Sequence, residues 1–272
     1  MLVNESLNPV LGRGIQRVSK ALKDFAPNYI TWVKPSQASD VTFLHLVGSN
    51  QIPLITENTV VLQYCWKTAG EADWDSAWNK ARAVISYYDL PIANKAKFLY
   101  TPLGYDPRIF KNYNLRHTNT VFATGHVADT EHLYDVFIAC KMANLKMFHT
   151  GENFRWCQRN YRFFEYMCDG DLVKTLNTTK YVSCLRTIEG FELLGVEGLA
   201  CGSRPIVLDN PCYDWYRKFG YTIEERGDFI SQLWNIIRQE PNPVSPEEYR
   251  DIEQSFSWAN IIPRWFDFLS SL

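Results

Sequence analysis

The sequence has no long apolar run, no basic leader and no excess of charge. No window approaches about 18 uninterrupted apolar residues, and the start MLVNESLNPV does not join basic residues to an apolar stretch. We therefore expect neither a membrane span nor a secretion signal, and a cytoplasmic protein. Lys and Arg number 28 against 30 Asp and Glu. This balance argues against a broad basic surface for nucleic acid or anionic lipid.

The cysteines lack the spacing of a metal site or a redox pair. Seven cysteines are scattered through apolar segments, and no C-x-x-C pair occurs. An odd number without close pairs is typical of reduced cysteines that pack as small apolar side chains. We therefore predict no bound metal and no disulfide framework.

The composition is that of an ordinary globular protein. Of the 272 residues, 46% are apolar and 21% are charged, and 15% are aromatic. This length predicts one large domain or two modest ones with their own cores. The aromatic content suits core packing, stacking on sugars or bases, or both.

The first hundred residues alternate short strand-like runs with helix-like stretches. A helical pattern follows the turn at residues 11–14 and ends at Pro27, and another spans residues 74–80. The predicted strands are rich in branched and aromatic residues and span residues 29–33, 41–46, 59–64, 83–86 and 97–100. Such runs indicate parallel strands buried on both faces, and so a Rossmann-like unit.

A second alternation follows a break at residues 102–119. The predicted strands are 120–124, 146–150, 181–184 and 205–208, and the predicted helices are 131–143, 158–168 and 190–200 with a weak one at 170–176. Pro246 begins a further helix. These patterns predict a second Rossmann-like unit.

The C-terminal tail carries one apolar stripe. Trp258, Ile261, Ile262, Trp265, Phe266 and Leu269 recur at helical spacing, and Pro263 should kink the helix. A stripe this apolar must be buried. We expect it to pack across the first unit, which gives an N-terminal domain of residues 1–107 completed by 256–272, and a C-terminal domain of residues 118–240.

The segment from Ile188 to Val207 carries the most specific motif. Its sequence IEGFELLGVEGLACGSRPIV contains Glu189 and Glu197 with seven residues between them. It resembles the signature E-G-F-G-L-x-x-x-E-A-M-A-C-G-x-P-V-V of family-4-type retaining glycosyltransferases of the GT-B fold. The two carboxylates, the G-F pair and the A-C-G turn agree with that signature in order.

The same segment suits a ligand site on physical grounds. Glu189 and Gly190 lie where a predicted strand gives way to a helix, so that backbone N–H groups would face an anionic ligand. On one continuous helix, Glu197 would lie just over two turns beyond Glu189 and about 80° around the axis. The alternative is that Glu189 caps the helix and Glu197 is solvated.

Other segments resemble the same family in the same order. Leu11-Gly12-Arg13-Gly14 is similar to its glycine-rich N-domain loop, and residues 102–110 are similar to its P-N-G-V-D-x-x-x-F junction. Phe256-Ser257-Trp258 is similar to its F-S-W terminal helix. The resemblance covers essentially the whole chain.

The chain also departs from the family pattern. The family's diphosphate-binding G-R and K-G pairs are absent from residues 124–129, where Gly125 and His126 stand. Arg186 and Arg13 are better phosphate candidates than His126, because arginine is permanently charged. The family's N-domain histidine is replaced by Tyr64 or Cys65.

The resemblance implies a compact GT-B fold, with two facing Rossmann-like domains around a cleft. It implies a retaining glycosyltransferase with a nucleotide-diphosphate sugar as donor and no cofactor or metal. The implied catalytic residues are Glu189, near the donor sugar hydroxyls, and Arg186. The implied donor-binding residues are Glu197, on the ribose, and Gly190, Phe191, Leu193, Gly125 and His126. The implied phosphate or acceptor loop contains Gly12, Arg13, Gly14 and Tyr64.

Alternatives to transfer remain at this point. A sugar-nucleotide epimerase, a phosphorylase or a catalytically lapsed nucleotide-sugar-binding module would use the same fold. The acceptor is undetermined among a glycan, a protein, a small molecule and a modified nucleic-acid base. The cations Arg13, Arg17, Lys20 and Lys23 of the first helix form either a solvated face or a site for an anionic acceptor.

Overall fold

The chain forms two compact units, each built around its own sheet. The computed structural model describes residues 1–6, 13–64, 73–153, 159–187 and 190–272. Unit 1 comprises Met1–Leu103 and Trp258–Leu272, and unit 2 comprises Gly104–Ser257. Each unit contains a six-stranded parallel sheet flanked by helices. The α/β class predicted from the alternating strands and helices is confirmed.

Unit 1 follows the predicted alternation and adds one strand. Its elements are β1 Leu2–Ser6, α1 Arg13–Asp24, β2 Thr31–Trp32, β3 Val41–Leu46, β4 Thr59–Gln63, α2 Trp74–Lys80, β5 Ala83–Ser86, β6 Phe98–Tyr100 and, at the C-terminus, α8 Trp258–Ser270. The strand order is β2-β1-β3-β4-β5-β6. Strand β1 has no sequence signal of its own, because Asn4, Glu5 and Ser6 are poor strand formers. Its pairing with β2 and β3 decides its conformation.

Helix α8 buries the predicted apolar stripe within unit 1. All six stripe residues are buried, and the helix continues through Pro263. The Phe266 ring meets Phe43 of β3 edge-on at 5.8 Å. The C-terminal helix therefore supplies core side chains to the sheet formed by the beginning of the chain.

Unit 2 contains the second sheet and the remaining helices. Its elements are β7 Thr118–Gly125, α3 Leu133–Met142, β8 Lys146–Gly151, β9 Tyr161–Phe164, α4 Asp169–Thr178, β10 Thr179–Cys184, α5 Leu193–Cys201, β11 Arg204–Leu208, β12 Tyr221–Ile223, α6 Phe229–Ile237 and α7 Pro246–Phe256. The strand order is β12-β11-β10-β7-β8-β9. Helix α7 begins at Pro246 as predicted, with a capping box between Ser245 and Glu248.

The predicted helix over residues 158–168 is wrong. The structure places strand β9 there, paired with β8. Tyr161 and Phe163 pack on His149, with centroids 6.0 and 5.8 Å apart. Phe164 meets Phe148 edge-on. Aromatic side chains that reach partners along a neighbouring strand favour a strand over a helix.

The described cysteines divide by environment. Cys140, Cys184 and Cys201 are buried, as predicted for packed thiols, whereas Cys168 is exposed and Cys212 is partly buried. Burial raises the pKa of the Cys140 thiol. Cys65 and Cys157 lie outside the described residues. No described helix is long and apolar enough to span a membrane.

A buried arginine anchors α7 to the sheet of unit 2. The Arg204 guanidinium donates to both carboxylate oxygens of Glu248 at 2.8 Å. It also donates to the backbone oxygens of Phe219, Asn242 and Pro243. These hydrogen bonds compensate the cost of burying the guanidinium.

Replacing Trp265 by alanine should destabilise unit 1 strongly. The side chain is 1% exposed, and removing a buried tryptophan ring typically costs about 3–5 kcal/mol. Urea unfolding should show this loss, whereas Asp267→Ala, on the exposed face of the same helix, should cost less than about 0.5 kcal/mol. Equal stability of the two variants would contradict the observed packing of α8.

Glu248→Gln should lower stability in a pH-dependent way. Hydrogen bonds from Arg204 lower the pKa of Glu248, so its stabilisation is present above the unfolded-state pKa and is lost as pH falls through the lowered folded value. We expect a loss of about 1–3 kcal/mol at pH 7, shrinking below about pH 4. Urea midpoints across this range test it, with the exposed neighbour variant Glu247→Gln as control.

Candidate functional site

The candidate site lies where the strand order of unit 2 reverses. The chain passes from β7 outward to β8 and β9, and then returns to β10 on the other side of β7. The segments that follow β7 and β10 therefore leave the sheet in opposite directions. In open α/β sheets this point forms a crevice at the carboxyl ends of the strands, where ligands bind.

Gly125 ends β7 in a conformation that glycine favours. Its φ is +135°, and a Cβ there would overlap the Glu131 carboxylate and lie 3.2 Å from Arg186 Nη2. Its carbonyl oxygen accepts a hydrogen bond from the Glu152 N–H. Glycine at this predicted donor-binding position therefore leaves space for an ion pair.

Arg186 follows β10 and lies between two carboxylates. Its Nε is 2.8 Å from Glu131 Oε2 and 3.8 Å from Glu192 Oε1. Its Nη2 is 3.4 Å from both the carbonyl and hydroxyl oxygens of Thr124. The side chain is 24% exposed. Among the described residues, this ion cluster therefore consists of the Arg186 guanidinium and the carboxylates of Glu131 and Glu192.

Tyr213 fixes the backbone beneath the ion cluster. Its buried hydroxyl accepts a hydrogen bond from the Arg186 N–H at 3.0 Å. The same oxygen lies 3.1 Å from the Arg186 carbonyl oxygen and 3.2 Å from Glu192 Oε2. The tyrosine therefore holds Arg186 and Glu192 in one arrangement.

Helix α5 begins later than predicted. The prediction placed a helix from Gly190, but α5 starts at Leu193 with Glu192 as its N-cap residue. The expected separation of Glu189 and Glu197 along one continuous helix is therefore wrong. Glu189 itself lies outside the described residues.

The motif residues of α5 are mostly buried. Glu197 is 2% exposed, which excludes the solvated alternative. Burial, together with the nearby charge of Glu197, raises the pKa of Cys201. Gly190 is buried and Leu193 is partly exposed. Phe191 packs on Tyr216 and Phe256, with centroids 5.6 and 6.4 Å apart. Phe191 therefore also contributes to the core of the unit.

His126 projects at the edge of the crevice. Its side chain is 79% exposed, and its Nδ1 lies 3.9 Å from Glu152 Oε2. Glu152 also accepts a hydrogen bond from the Val127 N–H at 2.9 Å. An exposed imidazole beside a carboxylate is a weaker phosphate ligand than an arginine.

A second link across the same crevice has no signal in the sequence. His132 lies 2.9 Å from Asp135 Oδ2 through Nδ1 and 3.2 Å from Thr187 Oγ1 through Nε2. Its ring stacks on Phe229 with centroids 4.3 Å apart. These contacts connect the segment after β7 with the segment after β10.

Glu131 and Glu192 were also missed, although the sequence carried a signal for one of them. Glu192 stands where the family signature has its second glycine, and it is 4% exposed. An acid at a glycine position is a departure from that signature, and it could have drawn attention to this residue. Glu131 had no comparable signal, because only the fold brings it to Arg186.

The predicted loop residues of unit 1 are only partly described. Gly12 lies outside the described residues, as does the side chain of Arg13 at the start of α1. Gly14 is exposed in the first turn of α1. Tyr64 follows β4, and its hydroxyl lies 3.1 Å from His45 Nδ1. Of the four helix cations, Lys23 pairs with Glu5 at 2.7 Å and Lys20 pairs with Asp24.

No metal site is evident among the residues that the structure describes. Within these residues, no three His, Cys, Asp or Glu side chains form a group that could hold a metal ion. The crevice instead offers a guanidinium, a helix N-terminus and buried carboxylates. Such groups can hold an anion next to hydroxyl groups.

Gly125→Ala should destabilise unit 2. The new Cβ would overlap Glu131 and would occupy a φ that alanine rarely adopts, so we expect a loss of about 1–3 kcal/mol. Gly170→Ala, at an exposed and uncrowded position of α4, is the control and should change stability by less than about 1 kcal/mol. Urea unfolding measures both variants, and equal midpoints would contradict the described contacts of Gly125.

Comparison with known proteins shows the fold. No protein-family model matches the chain, and no curated sequence is significantly similar. Among solved structures, Anabaena HepE in complex with UDP and glucose matches 100% of this chain and 99% of its own, with a TM-score of 0.75 and 11% identity.

Two further structures match nearly the whole chain. AviGT4, a glycosyltransferase involved in avilamycin A biosynthesis, covers 99% of this chain and 97% of its own, with TM-score 0.69 and 11% identity. Sucrose-phosphate synthase from Thermosynechococcus elongatus matches 99% of this chain and 98% of its own chain, with a TM-score of 0.70 and 10% identity. The chain therefore has the GT-B fold that the sequence resemblance implied.

Proposed function

We propose that this chain is a glycosyltransferase that moves a sugar from a nucleotide-diphosphate donor to a hydroxyl-bearing acceptor, with retention of configuration. The observation that carries this proposal is the full-length likeness to a protein solved with UDP and glucose. The crevice of unit 2 adds the features that a nucleotide donor requires. Fold alone does not fix the reaction, so the assignment depends on the groups in that crevice.

The donor diphosphate is assigned to the carboxyl-end crevice of unit 2. The first-turn amides of α5, from Leu193 onward, carry the positive end of the helix dipole. Gly190 and Phe191 lead into this turn, and Gly125 and His126 form the opposite edge. The donor is therefore held between the segments that follow β7 and β10.

Glu197 is assigned to the ribose hydroxyls. It is an acid buried within α5, just beyond the turn that would bind the phosphates. A buried carboxylate that accepts hydrogen bonds from two neighbouring hydroxyls is a strong sugar ligand. Glu189 is assigned to the donor sugar hydroxyls, on the motif resemblance alone.

Arg186 is assigned to the departing diphosphate. As the bond from the anomeric carbon to the phosphate oxygen breaks, negative charge grows on the phosphate and positive charge grows on the sugar. A guanidinium held in place lowers this barrier without having to reorganise. Its five donors can engage phosphate oxygens and the neighbouring acids together. The scheme involves neither a metal nor a covalent glycosyl-enzyme intermediate.

A second candidate is a nucleotide-sugar-binding module without transfer activity. The observation that favours it is the position of Arg186 between Glu131 and Glu192. Two carboxylates beside one guanidinium oppose the binding of a diphosphate, because like charges repel in a partly buried site. Epimerase and phosphorylase activities are the remaining alternatives on this fold.

A donor panel separates these candidates. Calorimetry first measures UDP and UDP-glucose binding, and UDP release is then followed with sugars, glycerol and peptides as acceptors. Acceptor-dependent release, with NMR showing the donor's anomeric configuration in the product, is the expected result. Binding without turnover would support the lapsed module. An epimerised donor, or release that depends on phosphate, would identify one of the other enzymes.

Glu197→Gln should weaken donor binding without unfolding the protein. Loss of charge-assisted hydrogen bonds to ribose should cost about 1–3 kcal/mol, which is roughly a 5- to 150-fold rise in Kd. Calorimetric titration with UDP measures it, and Glu247→Gln, an exposed acid on α7, is the control. Wild-type affinity in the Glu197 variant would refute the ribose assignment.

A further inference from the structure

A groove of about 620 Å³ opens at the edge of the unit 2 sheet opposite the candidate donor site. Two of the residues that line it are His117, which directly precedes β7, and Gly202, which lies two residues before β11. The groove is therefore at the amino ends of these parallel strands, whereas the donor crevice is at their carboxyl ends. Its volume is within the range of about 300–1,000 Å³ that is typical of ligand pockets.

Two buried polar side chains hold the chain segments on either side of the groove. Asn177 of α4 donates to the carbonyl oxygen of residue 111 at 2.8 Å and accepts from the N–H of residue 113 at 2.6 Å. Arg204 of β11 donates to the carbonyl oxygens of residues 242 and 243 at 2.8 and 2.7 Å. Because both side chains are buried, these hydrogen bonds fix the two walls before any ligand binds.

The floor of the groove presents the hydroxyl group of Tyr249. Asn112 Oδ1 accepts from the Asn114 N–H at 2.7 Å, so its Nδ2 faces Tyr249 and donates to the phenolic oxygen. Burial raises the pKa of Tyr249, and the hydroxyl therefore keeps its own proton. That proton has no acceptor among the residues that the structure describes, so Tyr249 can donate it to a ligand.

Gly202 leaves this floor uncovered. Its φ is +96°, and a Cβ there would lie 3.1 Å from the Tyr249 hydroxyl oxygen and 3.2 Å from Asn112 Nδ2. The same left-handed conformation ends α5. A side chain at this position would cover the two polar groups that glycine leaves open.

Two further polar side chains line the groove with both donors and acceptors. The Asn114 amide group is exposed and the His117 ring is half-buried. Within the described part of the chain, neither side chain forms a hydrogen bond or an ion pair. Burial lowers the pKa of His117, so at neutral pH the ring has one N–H donor and one acceptor nitrogen. This combination suits hydroxyl groups, which also donate and accept.

The remaining lining favours a neutral ligand with C–H surface. None of the described residues that line the groove is charged, and nearby Lys180 and Arg204 are each paired with a glutamate. A phosphate or carboxylate would lose hydration there without gaining a cation. Leu115, Pro243 and Pro246 instead present exposed apolar surface. Polar groups on the floor and apolar groups on the rim match the hydroxyls and C–H faces of a sugar ring.

We propose that this groove is a binding site for a neutral saccharide. Tyr249, Asn114 and His117 are its hydrogen-bonding ligands, and the leucine and proline surface contacts the C–H faces of the sugar rings. The site is distinct from the donor crevice. It does not depend on the proposed glycosyl transfer, and it involves no covalent step.

The test titrates the full chain, labelled with 15N, with glucose, maltose, sucrose and lactose. The side-chain amide signals of Asn112 and Asn114 should shift and saturate with at least one of these sugars. Glucuronate, which has the glucose ring with a carboxylate at C6, should bind at least fivefold more weakly than glucose. UDP at saturating concentration should leave the saccharide Kd unchanged, because the two sites lie at opposite edges of the sheet.

Matched variants locate the binding site. Tyr249→Phe removes the donor hydroxyl, and Asn114→Gly removes the amide while it tolerates the φ of +52° at this position. Each should raise the saccharide Kd about tenfold. Tyr113→Phe, at an exposed tyrosine of the same segment, and Asn119→Ala, at an exposed residue of β7, should not change it. If Tyr249→Phe does not fold, Asn114→Gly decides the question alone.

The proposal has defined contrary outcomes. It is overturned if none of the sugars gives a saturable shift, or if Asn114→Gly binds with wild-type affinity. Tighter binding of glucuronate than of glucose would contradict a neutral ligand. Loss of the saccharide shifts when UDP is present would assign the sugar to the donor crevice instead. Absence of UDP binding in calorimetry contradicts the donor assignment and leaves the saccharide groove unaffected.

Discussion

The close approach of α5 to its sheet controls the geometry of the candidate donor site. A Cβ at Gly195 would overlap the Tyr216 ring, and one at Gly198 would lie 2.8 Å from Val182 of β10. Because both positions are glycine, the helix lies directly on the strand and ring beneath it. Tyr216 donates from its hydroxyl to the Glu192 carbonyl oxygen at 3.1 Å. The same packing therefore sets where α5 begins and buries Glu192 near Arg186.

The two units use buried carboxylates in different ways. In unit 2, Glu131 and Glu192 both lie beside the Arg186 guanidinium, with carboxylate oxygens 2.8 and 3.8 Å from its Nε. In unit 1, Glu5 contacts both Lys23 of α1 and His45 of β3, each at 2.7 Å. In both units, ion-pair and hydrogen-bond partners offset the cost of burying the carboxylates.

Local patterns predicted much of the architecture. The α8 stripe and the start of α7 follow from apolar spacing and capping residues, and several strand cores follow from runs of branched residues. The patterns failed where pairing decides conformation. Strand β1 contains polar residues, and hydrogen bonds to side chains of other elements offset the cost of burying them. Strand β9 contains aromatic side chains that pack against aromatic side chains of β8.

The sequence by itself determined the alternating α/β class, the apolar stripe of the last helix and the order of the motifs that resemble the GT-B family, because each depends on residues close together in the chain. Only the tertiary structure decided that Arg186 lies between Glu131 and Glu192, and that Tyr64 ends a chain through His45 to Glu5. These contacts join residues up to 55 positions apart in one unit and 40 in the other. Strand order and register, which no local pattern specifies, bring them together.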